Sequence, residues 1–147
     1  MSGAEALETS LVEEMISLAI RQLSFSYTPY SGFKVGAALL AEDGTLYTGC
    51  NIENAAYTPT NCAERTAFFK AVSEGVRSFR AICVVGGKDG VLTEYAAPCG
   101  VCRQVMMEFC DPDRFQIILA YRHGPLRYLY APGAPPPGLR AGQPGVG

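Results

Sequence analysis

Charge, histidine and long apolar runs are all scarce in this sequence. Charged residues make up 18% of the 147, and 12 Lys plus Arg stand against 14 Asp plus Glu, for a net charge of −2. No basic stripe interrupts that balance, so the electrostatic footprint of an RNA- or DNA-binding surface is missing and nucleic acid is not an expected partner. No apolar run approaches the ~18 residues that a membrane span needs, which removes a membrane as a partner. The opening residues, Met1-Ser2-Gly3-Ala4-Glu5, lack the basic and apolar regions of a secretion signal, so a cytoplasmic location is expected. The single histidine, His123, stands beside Gly124-Pro125 in a turn-like setting and reads as an exposed turn residue rather than a metal ligand. No internal repeat is present.

What remains is a chain that is 48% hydrophobic and one domain long. A molecule of this size buries roughly 68–70% of its unfolded surface, enough for one sizeable core. That domain is expected over residues 1–130. Residues 131–147 contain five Pro and five Gly and one charged residue, Arg140. This composition predicts a disordered tail.

Periodicity predicts the elements. Val12, Met15, Ile16, Ala19 and Leu23 recur at helical spacing, with Ser10 and Glu13 as a capping box, and the helix should end near Phe25. An apolar strand over 34–41 turns back at Asp43-Gly44 into a second strand over 45–50. A second helix is expected from about Cys62 to Gly75, a strand over 80–86, a third helix introduced by Pro98, a strand over 115–121 and a short fifth strand over 126–130. Helical crossovers favour parallel neighbours. The expected fold class is therefore α/β: a mixed, about five-stranded sheet with helices on its faces. Phe68, Val72, Val105, Met106 and Phe109 fall at core spacings.

Six cysteines remain to be explained, and a reducing compartment disfavours disulfides. Cys99 and Cys102 lie three apart at a helix entrance, so their sulfurs point the same way. Cys62 and Glu64 are two apart and reach one site only if the second helix begins there. Helix starts carry partial positive charge that favours thiolates. Three thiolates leave a tetrahedral Zn²⁺ one position short, and water fills it in catalytic sites. Zinc lowers the pKa of that water towards ~7. The thiolate charge opposes this, and Arg65 and Arg103 are the candidates to offset it, Arg65 ahead of Arg103. Glu64 is suited to move a proton from the water to a substrate nitrogen and leaving amine. Cys50, Cys83 and Cys110 lie in or beside apolar segments and read as core, although one of them could complete a closed zinc site.

Cys62-Ala63-Glu64 with Pro98-Cys99-Gly100-Val101-Cys102 matches the general zinc-deaminase signature. With Tyr30-Ser31-Gly32-Phe33-Lys34-Val35-Gly36-Ala37-Ala38-Leu39 and Gly49-Cys50-Asn51-Ile52-Glu53-Asn54-Ala55, the sequence resembles the small homotetrameric zinc-dependent cytidine deaminases from about Pro29 to Gln104. The resemblance implies a three-layer α/β/α fold and one Zn²⁺ per subunit, held by Cys62, Cys99 and Cys102, with Glu64 as proton shuttle. It implies conversion of cytidine and deoxycytidine to uridine and deoxyuridine, as in pyrimidine salvage. Asn51 and Glu53 would hold the sugar hydroxyls and Phe33 would line the pocket. Residues matching Ala55 and Tyr57 would reach a neighbouring subunit's site, making a homotetramer with shared active sites. Family members usually continue after the last strands with a leucine-rich helix and an aromatic lid; here the resemblance fades after Arg127, with Tyr128 or Tyr130 as the candidate lid. Two other readings compete: a deaminase of another cytosine nucleoside such as an antibiotic, and a zinc-stabilised, non-catalytic binding module.

Overall fold

A computed structural model describes residues 7–92 and 95–121, together with the backbone of 127–130. Leu39, Leu40, Ile82, Val84 and Val85 form its centre, all nearly free of solvent. They sit on two strands that read as continuous apolar runs because both sheet faces are covered. Alternate residues feed two different cores. Ala37, Leu39, Ile82 and Val84 face one cluster, whereas Ala38, Leu40, Ala81, Cys83 and Val85 face the other.

Helix α1 (Thr9–Gln22), extended by a 3-10 turn at Leu23–Phe25, covers the second face through Val12, Met15, Ala19 and Leu23. Its end agrees with the expectation, but its start does not. Glu8 is the N-cap and makes no side-chain cap hydrogen bond, so Ser10 and Glu13 form no capping box. Leu7 and Leu11 pack on the core, and their burial starts the helix ahead of Ser10.

Strand β1 (Phe33–Ala41) and strand β2 (Leu46–Cys50) pair antiparallel about the Asp43-Gly44 turn, where the Asp43 carboxylate accepts from the Thr45 amide at 2.9 Å. Helix α2 (Ala63–Ser73) leads to β3 (Phe79–Lys88), and helix α3 (Gly100–Phe109) leads to β4 (Gln116–Leu119), beside which β5 (Arg127–Tyr130) runs antiparallel. The sheet order is β2-β1-β3-β4-β5. Of the two helical crossovers only the second joins neighbours in parallel, β3 to β4. The expectation of parallel neighbours fails at the first: α2 carries the chain across the hairpin, so β3 lands against β1 and runs antiparallel to it.

Helices α2 and α3 share the face opposite α1. Phe68, from α2, packs edge-on against Phe79, stacks on Phe109 and lies tilted against Phe115, with 5.0 to 6.5 Å between ring centroids. Met106 is fully buried there, with Val72, Val105 and Phe109 packed against the cluster, as their spacing predicts. No helix among the described residues is long and apolar enough to cross a membrane. His123 and the tail at 131–147 lie outside the described residues, as do the side chains of Tyr128 and Tyr130.

Candidate metal centre and active-site cavity

The site is assembled by two helix starts. Cys62 is the N-cap of α2 and Cys99 the N-cap of α3, so the condition for Cys62 and Glu64 to share a site is met. Glycine lets α2 approach closely enough. A Cβ built on Gly49 of β2 would lie 2.4 Å from the Ala63 carbonyl oxygen and 2.6 Å from the Ala67 nitrogen. The first turn of α2 therefore rests directly on the β2 backbone. Thr66 fastens it there, its Oγ1 hydrogen-bonding the carbonyls of Cys50 at 3.0 Å and Cys62 at 3.1 Å.

Three sulfurs converge. Cys62 Sγ lies 3.6 Å from Cys99 Sγ, which lies 3.3 Å from Cys102 Sγ, and all three fall within 4.8 Å of one another. A tetrahedral centre with Zn–S bonds of ~2.3 Å holds its sulfurs roughly 3.8 Å apart, so the spacing suits one zinc ion. Among the described residues this is the one group of three or more Cys, His, Asp or Glu side chains with such spacing. Cys50, Cys83 and Cys110 are buried elsewhere and do not join it. Three protein ligands leave a coordination position for solvent or substrate.

The electrostatics favour a cation. Cys99 Sγ accepts from the Cys102 amide at 3.4 Å, the N-cap arrangement with sulfur in place of oxygen. Hydrogen bonding from the Cys102 thiol and from Arg65 pulls Cys62 down to about 5 against the opposing effect of burial. The same Cys62–Cys102 contact, together with burial, pushes Cys102 up. A divalent cation bound by the three sulfurs would relieve this crowding by replacing their protons. Arg65 Nη2 lies 3.3 Å from Cys62 Sγ. Among the described residues no side-chain hydrogen bond from Arg103 reaches a sulfur; its backbone amide bonds the Cys99 carbonyl as part of α3.

Glu64, 4% exposed, sits in the first turn of α2. Burial first, then the neighbouring Cys62 sulfur, pushes its carboxyl up to about 7, while backbone hydrogen bonding and Arg65 pull the other way. It lines a cavity of about 350 Å³ with Cys62, Cys99, Phe33, Asn51 and Glu53. Asn51 is anchored to β1: its Oδ1 accepts from the Val35 amide at 2.9 Å and its Nδ2 donates to the Phe33 carbonyl at 2.8 Å. Glu53 accepts from the Tyr30 and Ser31 amides at 3.0 and 3.1 Å and from the Ser31 hydroxyl. Those bonds, led by the Ser31 hydroxyl, hold its carboxyl below the usual range.

Ala55 and Tyr57 do not line this cavity. Both are exposed, Tyr57 at 79%, on the loop between β2 and α2. The cavity also has walls that sequence patterning did not single out: Thr60, Asn61 and the segment Tyr95, Ala96 and Ala97. The last three directly precede Pro98-Cys99, and that adjacency was the available signal. Tyr95 packs edge-on against Tyr121 with 4.6 Å between ring centroids.

An α/β sheet that gathers three cysteine sulfurs, two of them with a buried glutamate at the wall of one open cavity, defines a class, the metal-dependent hydrolytic enzymes. Comparison narrows it. The family model described as the cytidine and deoxycytidylate deaminase zinc-binding region matches residues 9–118, and the chain belongs to that family. A cytidine deaminase from Sporosarcina psychrophila is 61% identical over 100 residues, covering 68% of this chain and 71% of that one. One from Halalkalibacterium halodurans is 54% identical over 99 residues, covering 67% and 72%. The crystal structure of cytidine deaminase from Burkholderia pseudomallei superposes with a TM-score of 0.73 at 45% identity, covering 81% of this chain and 91% of that one.

Proposed function

We propose that this chain is a zinc-dependent hydrolase that deaminates cytidine and deoxycytidine, releasing ammonia and leaving uridine and deoxyuridine. The observation that carries the reading is the shared cavity: Glu64, Cys62 and Cys99 line it, and Asn51 and Glu53, with fixed orientation, line the same space. Cys62, Cys99 and Cys102 hold the zinc, which when bound supplies a Lewis acid that makes water nucleophilic near neutral pH. Glu64 would take one proton from the attacking water and deliver it to the pyrimidine ring nitrogen. It would then take the second from the hydroxyl now on the ring carbon and pass it to the departing amine, which leaves as ammonia as the carbonyl forms. Its buried carboxyl, near neutrality in pKa, is suited to both directions of transfer. Arg65 offsets thiolate charge at Cys62; Arg103 is the weaker candidate for that task.

The sugar end follows from counting hydrogen-bond capacity. A carboxylate offers about four acceptor sites, and Glu53 uses three on Tyr30 and Ser31, leaving one. The Asn51 amide spends one of its two N–H donors on Phe33 and keeps the other. One donor and one acceptor suit adjacent sugar hydroxyls. Phe33 supplies apolar wall beside them. Among the described residues the cavity is lined by two carboxylates and by no Lys or Arg, which favours a free nucleoside over a phosphate-bearing one.

Exposed Ala55 and Tyr57, with Phe25, Tyr27 and Tyr30 also exposed at 56–69%, support a homotetramer in which a neighbouring copy covers this edge and Ala55 and Tyr57 reach its active site. Six free thiols support a cytoplasmic location. One sheet spanning both cores supports a single domain to residue 130. The test is Glu64→Gln assayed on cytidine, with zinc content and subunit number determined on the same preparation. The variant should keep its zinc and lose turnover by about 10²–10⁴. Full activity in the variant refutes the assignment.

A further inference from the structure

We infer that Lys88, at the C-terminal end of β3, is a positioning residue for sugar recognition, acting through Ser31 on Glu53; this rests on the reading of Glu53 as a sugar-hydroxyl acceptor. Glu53 lies on the loop after β2, and none of its own neighbours in sequence orients its carboxylate. All three hydrogen bonds it accepts come from two residues, Tyr30 and Ser31, in the turn before β1. The geometry of the one remaining acceptor site is therefore set by the position of that turn.

Lys88 holds the turn from the other side. Its Nζ donates to the Ser31 carbonyl, and the next residue, Asp89, donates its amide to the Gly32 carbonyl at 2.6 Å. Lys88 is also the β3 partner of Phe33, the first residue of β1, so the clamp closes where the sheet register begins. Ser31 thus makes three separate connections: its carbonyl to Lys88, its amide and hydroxyl to Glu53, and its Oγ as acceptor for the Phe33 amide at 3.0 Å. Lys88 itself is exposed and does not line the 350 Å³ cavity; it reaches the site by holding Ser31 and by its positive charge, which also helps to keep the pKa of the Glu53 carboxyl low. A loosened turn leaves Glu53 with more orientations, and the entropy of ordering it is then charged to sugar binding.

The consequence is selective. Loss of Lys88 should weaken binding of substrates that carry the sugar hydroxyls and spare one that lacks them, whereas a general loss of structure would weaken both. The experiment compares cytidine with 2′,3′-dideoxycytidine on zinc-loaded enzyme. Lys88→Met should raise KM for cytidine about three- to fivefold, the size expected for one exposed charge-assisted hydrogen bond, with kcat within about twofold. Its kcat/KM on dideoxycytidine should match the unaltered enzyme, and Lys88→Arg should restore the cytidine KM. An unchanged cytidine KM in Lys88→Met, or equal losses on both substrates, overturns the inference. Glu53→Gln run alongside separates the two levels: if it selectively impairs cytidine while Lys88→Met does not, Lys88 alone is misassigned. If Glu53→Gln shows no selectivity, the underlying role of Glu53 falls, and the inference with it.

Discussion

Gly49→Ala should remove zinc and activity without touching a single ligand. The added Cβ would meet the Ala63 carbonyl oxygen at 2.4 Å and the Ala67 nitrogen at 2.6 Å. Both obstacles are helix backbone, so no side-chain rotation relieves the crowding. Restoring an ordinary contact of about 3.4 Å moves the start of α2 outward by about 1 Å, and a displacement of that size at a catalytic group costs on the order of 10²-fold in rate. The displacement carries Cys62 and Glu64 together. If it were directed away from α3, the Cys62–Cys99 sulfur separation would grow from 3.6 Å to about 4.6 Å, beyond the ~3.8 Å that one tetrahedral zinc allows. Overpacking should also cost about 1–3 kcal/mol of stability. Metal content by mass spectrometry, cytidine turnover and thermal unfolding, measured together, test the claim. Gly44→Ala is the control: nothing lies within 4 Å, although its φ of +92° makes a small stability loss of about 1 kcal/mol expected. Full zinc occupancy and turnover in Gly49→Ala would refute the close-packing argument, as would equal functional loss in Gly44→Ala.

Two further substitutions probe different properties. Arg65→Gln removes the guanidinium 3.3 Å from Cys62 Sγ and should lower turnover about tenfold while one zinc per subunit remains bound; an unchanged rate would assign the charge compensation to Arg103 or to the helix starts alone. Burial pushes the Cys83 thiol from 9.0 up to about 12, so the folded state resists its ionisation. Below pH 9 the thiol is protonated in both folded and unfolded chains and its contribution is complete; from there to about pH 12 the unfolded chain ionises first and stability falls, by at most about 4 kcal/mol. Urea midpoints at pH 7.5 and 10.5 should therefore converge in Cys83→Ala relative to the unaltered protein, and parallel pH dependence in the two would remove Cys83 as the cause.

The candidate metal ligands are legible in the sequence because their spacing is local. Cys99 and Cys102 sit within one helical turn, and Cys62 is tied by spacing to Glu64. The apolar runs of β1 and β3 are equally legible, since a strand covered on both faces needs no polar alternation. Other features are local in appearance but decided at a distance. The Ser10–Glu13 pattern satisfies a capping box, yet burial of Leu7 and Leu11 starts α1 earlier. The α2 crossover suggests parallel neighbours, yet β3 pairs antiparallel with β1.

The sequence by itself determined two local pairs, Cys99 with Cys102 and Cys62 with Glu64, because helical periodicity acts over three or four residues; that the pairs meet, across 37 residues, was decided by the tertiary structure. Only the tertiary structure decided what surrounds them: that Gly49 admits α2, that Asn51 is pinned to β1, and that Glu53 takes its orientation from Ser31 under Lys88. Each of these joins segments 14 to 57 residues apart. Contacts across such distances depend on sheet register and close backbone approach, which arise from packing the whole chain and leave no periodic trace in any one stretch of it.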